Sequence, residues 1–424
     1  MTDAPSAVPT RPLAVREQFF LSCYWFAFNF QWGAILAVIL PSQIAALVGA
    51  HRKELFNGLI PPLGAAVSMV VAPLAGAWSD EFRARFGRRR PFMLVGSLLA
   101  IVCLLALAPL GAGDRLRTFV FWYLGLQIGS NLAGGPYAGL IPDVVPIHQR
   151  GAASGWMALM SALGTMTGAL SAGQLVHAGD YRRIYVAIAA VVLVFMALTL
   201  FGVRETPWTQ PPRHERGRQF LRSFVPSPRL HRDFYWVMAT RALITMGIYS
   251  VFTFFQFFLA DVVRVRAPEA QASYLVGIII FTGVFTSLLA GALSDRVGRK
   301  PLVYASGAVM AVASVVFIPV AFHPSLLVTY AVGALFGLGW GAFQAVDWAL
   351  AVDVLPHQGG AAKDMGIWHT ALVLPQVIAP AITGITLARL KSHSLLLGYS
   401  TVFVLTAAWF VLGTVFVRRI RGAR

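Results

Sequence analysis

Twelve apolar runs divide this 424-residue chain, each close to the ~20 residues that cross a ~30 Å hydrocarbon core as a helix. They fall at about 18–48, 55–78, 92–111, 117–142, 151–177, 184–203, 233–261, 269–293, 301–321, 325–353, 363–389 and 395–418. Composition agrees: 57% of residues are hydrophobic and only 12% charged, against roughly 25% charged in soluble domains. The expected fold class is an all-α membrane protein of twelve transmembrane helices. Cys23 and Cys103 both lie inside runs, which gives neither a disulfide framework nor a metal-ligand spacing.

The formal charge of +17 raises nucleic acid as a partner, but the distribution of charge argues for the lipid bilayer instead. Placing both termini on one side gives that side 23 Lys and Arg and the other side 10, with Arg241 inside a run. The excess marks the cytoplasmic side, so a multi-pass inner (plasma) membrane protein with both termini cytoplasmic is expected. Residues 1–17 lack an apolar core; no cleaved signal peptide is expected, and the first run directs insertion. Five arginines crowd residues 83–90, and as topological anchors they would be held further by anionic headgroups.

Anchoring explains the charge but not the order of residues around it. "GAWSDEFRARFGRRRPF" at 76–92 is echoed by "GALSDRVGRKPLV" at 291–303, and "LIPDVVP" at 140–146 by "LAVDVLP" at 350–356. The offsets of 215 and 210 match half the chain length, which points to a tandem duplication of six helices in one orientation. The expected organisation is a tail at 1–17, a six-helix half at 18–203, a linker at 204–232, a second half at 233–418 and a basic tail at 419–424. The linker is rich in Pro and Arg, with a short surface helix expected around 214–223.

The duplicated G-x-x-x-D-x-x-G-R-K/R loop resembles the signature of the major facilitator superfamily; the first copy fits once its four-residue insertion is allowed. Physically, Gly76 and Gly291 would let helices approach closely, and Asp80 and Asp295 would end their helices as carboxylates facing other helix N-termini. The resemblance implies that those N-termini lie near Ala361 and Gly151. It also implies that Arg88 and Arg299 reach Asp143 and Asp353, so that these residues form a gate that closes and opens one side. The R-R-R-P-F ending, Trp32 nine residues before Pro41, Asn131 with "GGP" at 134–136, and "ALVLPQVIAP" at 371–380 resemble plant sucrose-proton symporters and their relatives. Two departures stand out. Where that family carries an acidic residue in its fourth helix this chain has Gln127, and where it has an Arg after G-P this chain has Ala138.

Ionisable groups inside lipid are costly and by default face a cavity or each other. Of the seventeen acids only Asp347 lies clearly inside a run, and Arg241 lies at a similar depth. Trp340, Gln344 and Asp347 share one helical face, as do Arg241, Thr245 and Tyr249. Asp347 and Arg241 are therefore expected to interact, with protonation of Asp347 weakening the pair; a permanent structural pair is the alternative. A sugar site needs donors and acceptors around an aromatic platform. Candidates are Asn29, Trp32, Gln127, Asn131, Tyr249, Trp340, Gln344, His369 and Gln376. Ser161 and Thr165 are read as helix packing.

No nucleotide-binding loop and no nucleophile with a base is present, so neither a cofactor nor an enzymatic activity is expected. The reading is a monomeric secondary transporter moving a small polar solute, a sugar or glycoside, with protons. A multidrug-proton antiporter and a non-transporting scaffold on the same fold remain as alternatives.

Overall fold

The computed structural model describes residues 12–82, 84, 86–110, 116–146, 149–203, 205, 231–354 and 361–421. Among them there is no strand. Twelve helical spans follow one another: α1 (Val15–Val48), α2 (Lys53–Glu81), α3 (Arg90–Leu107), α4 (Leu116–Val144), α5 (Arg150–His177) and α6 (Tyr181–Gly202). The second six are α7 (Arg232–Val263), α8 (Pro268–Val297), α9 (Arg299–Phe322), α10 (Leu326–Asp353), α11 (Ala361–Lys391) and α12 (Leu395–Phe416). Ten are long and apolar enough to cross a membrane. The other two, α4 and α5, have 29 and 28 residues and are long enough, but Gly, Ser, Thr and amide side chains dilute their hydropathy. The helix expected around 214–223 lies outside the described residues.

Helix ends follow local chemistry. Gly49, Gly179 and Gly298 take φ of 77°, 76° and 96°, left-handed values that glycine adopts without a Cβ penalty, and they stop α1, α5 and α8. Asp180 caps α6 by accepting from the Arg183 backbone N–H at 2.9 Å, and Ser394 stands at the N-cap of α12. α1 contains a π-helical turn at Ile35–Ile39, just before Pro41. α7 is interrupted at Thr253 and Phe254 and ends in a second π turn at Leu259–Val263.

Two compact units result: Met1–Ile35 with Val67–His214, and Leu36–Ala66 with Glu215–Arg424. The sequence halves at 18–203 and 233–418 are thus not the units, because residues 36–66 pack with the second six helices. In the first unit α3 and α4 cross at small residues: a Cβ on Gly96 would lie 2.5 Å from Ala133 N, and one on Gly129 2.7 Å from Ala100 N. α1 meets α5 in the same way, with Gly33 against the Thr165 carbonyl (2.6 Å to an added Cβ). The second unit is centred on aromatic side chains, among them Phe258, Phe317, Phe336, Phe403 and Phe410, all nearly inaccessible.

Candidate functional site

Arg241 on α7 and Asp347 on α10 meet in the interior of the second unit. The guanidinium Nη1 donates to Asp347 Oδ2, and the residues are 6% and 1% exposed. Both come from long apolar helices, so the pair is desolvated, and each charge depends on the other: removing one partner of a buried pair costs about 3–5 kcal/mol. Asp347 Oδ1 and the Thr240 hydroxyl have no hydrogen-bond partner among the described residues. The acid therefore uses half of its acceptor capacity on Arg241. Thr245, one turn along α7, is also buried, while Tyr249 is half-buried.

The remaining sugar-site candidates separate by what already occupies their polar groups. Asn29 folds back on α1, donating to the Trp25 carbonyl at 2.8 Å. Gln127 and Asn131 form a buried chain on α4. Gln127 Nε2 donates to the Tyr123 hydroxyl at 3.0 Å, Asn131 Nδ2 donates to the Gln127 carbonyl at 2.8 Å, and Ser68 donates to Asn131 Oδ1 at 2.8 Å. Trp340 covers Gly283 of α8, where an added Cβ would lie 2.7 Å from its ring. Trp32 and Gln376 are half-buried and Gln344 is exposed. The side chain of His369 lies outside the described residues.

The motif loop of the first unit is a dense charge network. Arg88 donates to Asp143 through Nε at 3.1 Å and Nη2 at 2.6 Å; Arg89 donates to the same carboxylate through Nε at 3.0 Å. Asp80 is paired with Arg89 and lies 3.7 Å from Arg88, so its carboxylate is engaged within its own loop. Arg89 Nη1 also donates to Ser79 Oγ at 2.6 Å, and Ser79 donates to the Gly76 carbonyl at 2.7 Å. In the second copy Arg299 donates to Ser294, which donates to the Gly291 carbonyl at 2.7 Å. The shared Gly–Ser–Arg pattern makes Arg89, rather than Arg88, the counterpart of Arg299. The side chains of Asp295 and Asp353 lie outside the described residues.

Two expectations need correction. Gly76 and Gly291 are not points of close approach. A Cβ at Gly76 would meet the Gly135 carbonyl at an ordinary 3.9 Å, and one at Gly291 would meet no described atom within 4 Å. The tight crossing of α2 and α4 falls instead at Gly135, where an added Cβ would collide with the Ala72 carbonyl. Nor is Asp347 the only acid buried within the helical spans. Glu54 on α2 is 1% exposed, and Asp261 near the end of α7 has a side chain 17% exposed.

Sequence reasoning also passed over Glu205, which follows α6 directly. Its carboxylate accepts from the backbone N–H of Arg88 at 2.9 Å, of Arg89 at 3.1 Å and of Arg90 at 3.4 Å. These are N–H groups at the start of α3 for which the helix itself supplies no acceptor, exposed by Gly87 with φ 96°. Burial pushes the Glu205 carboxyl above the ordinary carboxylate range, the three N–H donors oppose the rise, and nearby Asp143 adds to it. The available signal was an acid alone in a basic stretch, one helix end away from the arginine motif.

A polytopic all-helical chain, with a repeated Gly–Ser–Asp–Arg loop and a buried ion pair on its seventh and tenth helices, has the architecture of a membrane transporter. Residues 20–363 match the sequence model of the Major Facilitator Superfamily, and the chain belongs to that superfamily. Over 215 residues it is 27% identical to the sucrose transport protein SUC3 of Arabidopsis thaliana, a match covering 43% of this chain and 36% of that protein. Against the sucrose transport protein SUT5 of Oryza sativa subsp. indica it is 23% identical over 84% of this chain and 79% of that one. A multi-drug resistance efflux pump PmrA homolog of Lactococcus lactis subsp. lactis is 21% identical, with 92% of both chains covered. Among solved structures, a mutant of the nucleoside transporter NupG superposes with a TM-score of 0.74 at 12% identity, covering 95% of this chain and 99% of that one. The family and this fold identify a multi-pass, non-enzymatic membrane transporter.

Proposed function

We propose that this transporter moves a small polar solute, a sugar or glycoside, together with protons by alternating access in an inner membrane, with both termini cytoplasmic. The observation that carries the reading is the buried Arg241–Asp347 pair with Asp347 Oδ1 left without a partner. A proton taken up by Asp347 removes the charge that balances Arg241. The guanidinium then seeks another acceptor, and a sugar hydroxyl or ring oxygen is one. Proton and solute binding are coupled through that single exchange of partners. Trp32, Gln344 and Gln376 are the proposed sugar contacts whose polar or aromatic surface is still accessible; Asn29, Gln127, Asn131, Tyr249, Trp340 and His369 support them. The cytoplasmic gate is assigned to Gly76, Asp80, Arg88, Asp143, Gly291, Asp295, Arg299 and Asp353. Orientation follows the 23-to-10 excess of Lys and Arg on the motif side.

The test is uptake of radiolabelled sucrose and maltose into proteoliposomes with and without an inward proton gradient. Gradient-stimulated accumulation that is lost in Asp347→Asn, with substrate exchange retained, is the expected result. Undiminished driven uptake in that variant removes Asp347 from coupling. The likeness to a multidrug pump over nearly the whole chain keeps a second reading: proton-driven export of an apolar cation. Gradient-driven efflux of ethidium without sugar uptake would establish it.

A further inference from the structure

At the end of α2 opposite the arginine motif lies a second buried charge cluster, all within the unit that contains residues 36–66. Lys391 of α11 donates to Glu54 at 2.5 Å and to Asp261 of α7 at 3.0 Å. Lys53 donates to the other oxygen of Asp261 at 2.7 Å, and the Tyr399 hydroxyl of α12 donates to Asp261 at 3.0 Å. Two cations and two anions balance. Lys53 also sits over the Phe257 ring, 4.7 Å from its centroid.

The surroundings share one character. Asn57 donates to the Thr253 carbonyl at 2.7 Å, where α7 is interrupted. Gln256 donates to Ser42 at 2.5 Å. α2 and α11 cross glycine on glycine: a Cβ on Gly58 would lie 2.7 Å from the Pro380 carbonyl and 2.9 Å from Gly384 Cα. Asn57 Oδ1 and Gln256 Oε1 are buried with no partner among the described residues.

A contact evolved for stability alone would be apolar, since buried ion pairs add little over well-packed hydrophobic side chains. Here residues 36–66, which by sequence belong to the first six helices, join α7, α11 and α12 through charges, amides and glycines. Two acceptors are left unpaired. When such a face parts, water solvates each of those groups, whereas a parted apolar face would be left exposed. We infer that Lys53, Glu54, Asp261, Lys391 and Tyr399 form a releasable latch on the side opposite the arginine motif, with Lys391 as its shared pivot, holding residues 36–66 against α7 and α11. The inference rests on the alternating-access reading, which requires that side to open, and it assigns the residues that restrain the opening.

The test uses full-length protein in nanodiscs with Cys23 and Cys103 replaced by Ser and a reporter Ser42→Cys, whose position is 6% exposed. Maleimide labelling of the reporter is timed in the parent, Lys391→Met and Lys391→Arg. Met leaves two carboxylates without their pivot, and labelling is expected to speed up by at least about tenfold, because an uncompensated buried charge strongly favours solvation. Arg keeps the charge and should return the rate close to the parent's. If Lys391→Met is poorly folded, Asp261→Asn, which frees both lysines and Tyr399, is read in the same way. Unchanged labelling in a folded variant, or a lowered melting temperature with unchanged labelling, overturns the latch and leaves a static staple. Labelling does not depend on what is carried, so failure of sugar uptake with a positive labelling result refutes the substrate reading and leaves the latch standing.

Discussion

Replacing Glu205 with Ala should loosen the arginine loop without unfolding the helices. The carboxylate holds three successive backbone N–H groups, two of them at 2.9 and 3.1 Å and the third at a weaker 3.4 Å. A hydrogen bond to an ionised acceptor contributes roughly 1.5–3 kcal/mol. Glu205 is half-buried, so water takes over part of the role when it is removed, and a total of about 2 kcal/mol is a reasonable sum for the two good bonds. At about 1.4 kcal/mol per factor of ten, local opening becomes about 30-fold more populated. Hydrogen exchange with mass spectrometry reads this from a peptide spanning Arg88–Arg90, with the start of α9 as an internal control. Glu205→Gln, which keeps one acceptor and no charge, should fall between wild type and Ala. Exchange in Glu205→Ala within a factor of about two of wild type would show that the donors are satisfied elsewhere and that Glu205 does not order the loop.

Burial raises the Glu205 carboxyl above its ordinary value of 4.5, so the folded chain holds that proton more tightly than the unfolded one. The stability it contributes is fully present below 4.5 and is lost as pH rises through the raised folded value. Melting of Glu205→Gln should therefore gain on wild type across that window; a constant gap from about pH 4 to about pH 8 would refute the sign. Gly129→Leu drives a side chain into α3 and should lower stability by at least about 1–3 kcal/mol. Gly155→Leu, with nothing within 4 Å of an added Cβ, should be neutral or slightly stabilising in the same thermal melt; equal losses would contradict the crossing. Asp347→Leu alone should cost about 3–5 kcal/mol, and Arg241→Met added to it should recover most of that loss. A double variant melting no higher than the single would mean that Arg241 does not depend on Asp347.

What the sequence disclosed was set by periodicity. Twelve spans were legible because each apolar run is as long as the bilayer is thick, and Arg241 and Asp347 were legible because a lone charge inside such a run has few places to go. The arginine motif was half legible. Its repeat was plain, but the four-residue insertion leaves Arg88 and Arg89 side by side, and only the Gly–Ser–Arg contacts tell which is the counterpart of Arg299. Gly76 and Gly291 misled because a crossing point depends on helix inclination, which spacing along one helix does not encode. Lys53, Glu54, Asp261 and Lys391 sit at the ends of runs, where charge ordinarily faces water, so their burial by other helices left no trace in the pattern. Glu205 was hidden for the same reason, since its donors belong to a loop 115 or more positions away.

The π turn at Ile35–Ile39 has a consequence for how this chain tolerates insertion and deletion. Such a turn holds one residue more than the α-helix around it, and the boundary between the two compact units falls inside it, at Ile35 and Leu36. Deleting one residue there would let the helix close into a regular α-helix and would turn everything after it by about 100°. Ser42 would then leave its Gln256 partner, while Gly33 and its contact with Thr165 would be untouched. The extra residue sets the angular phase between the two parts of α1, so that a single helix can present one face to each unit.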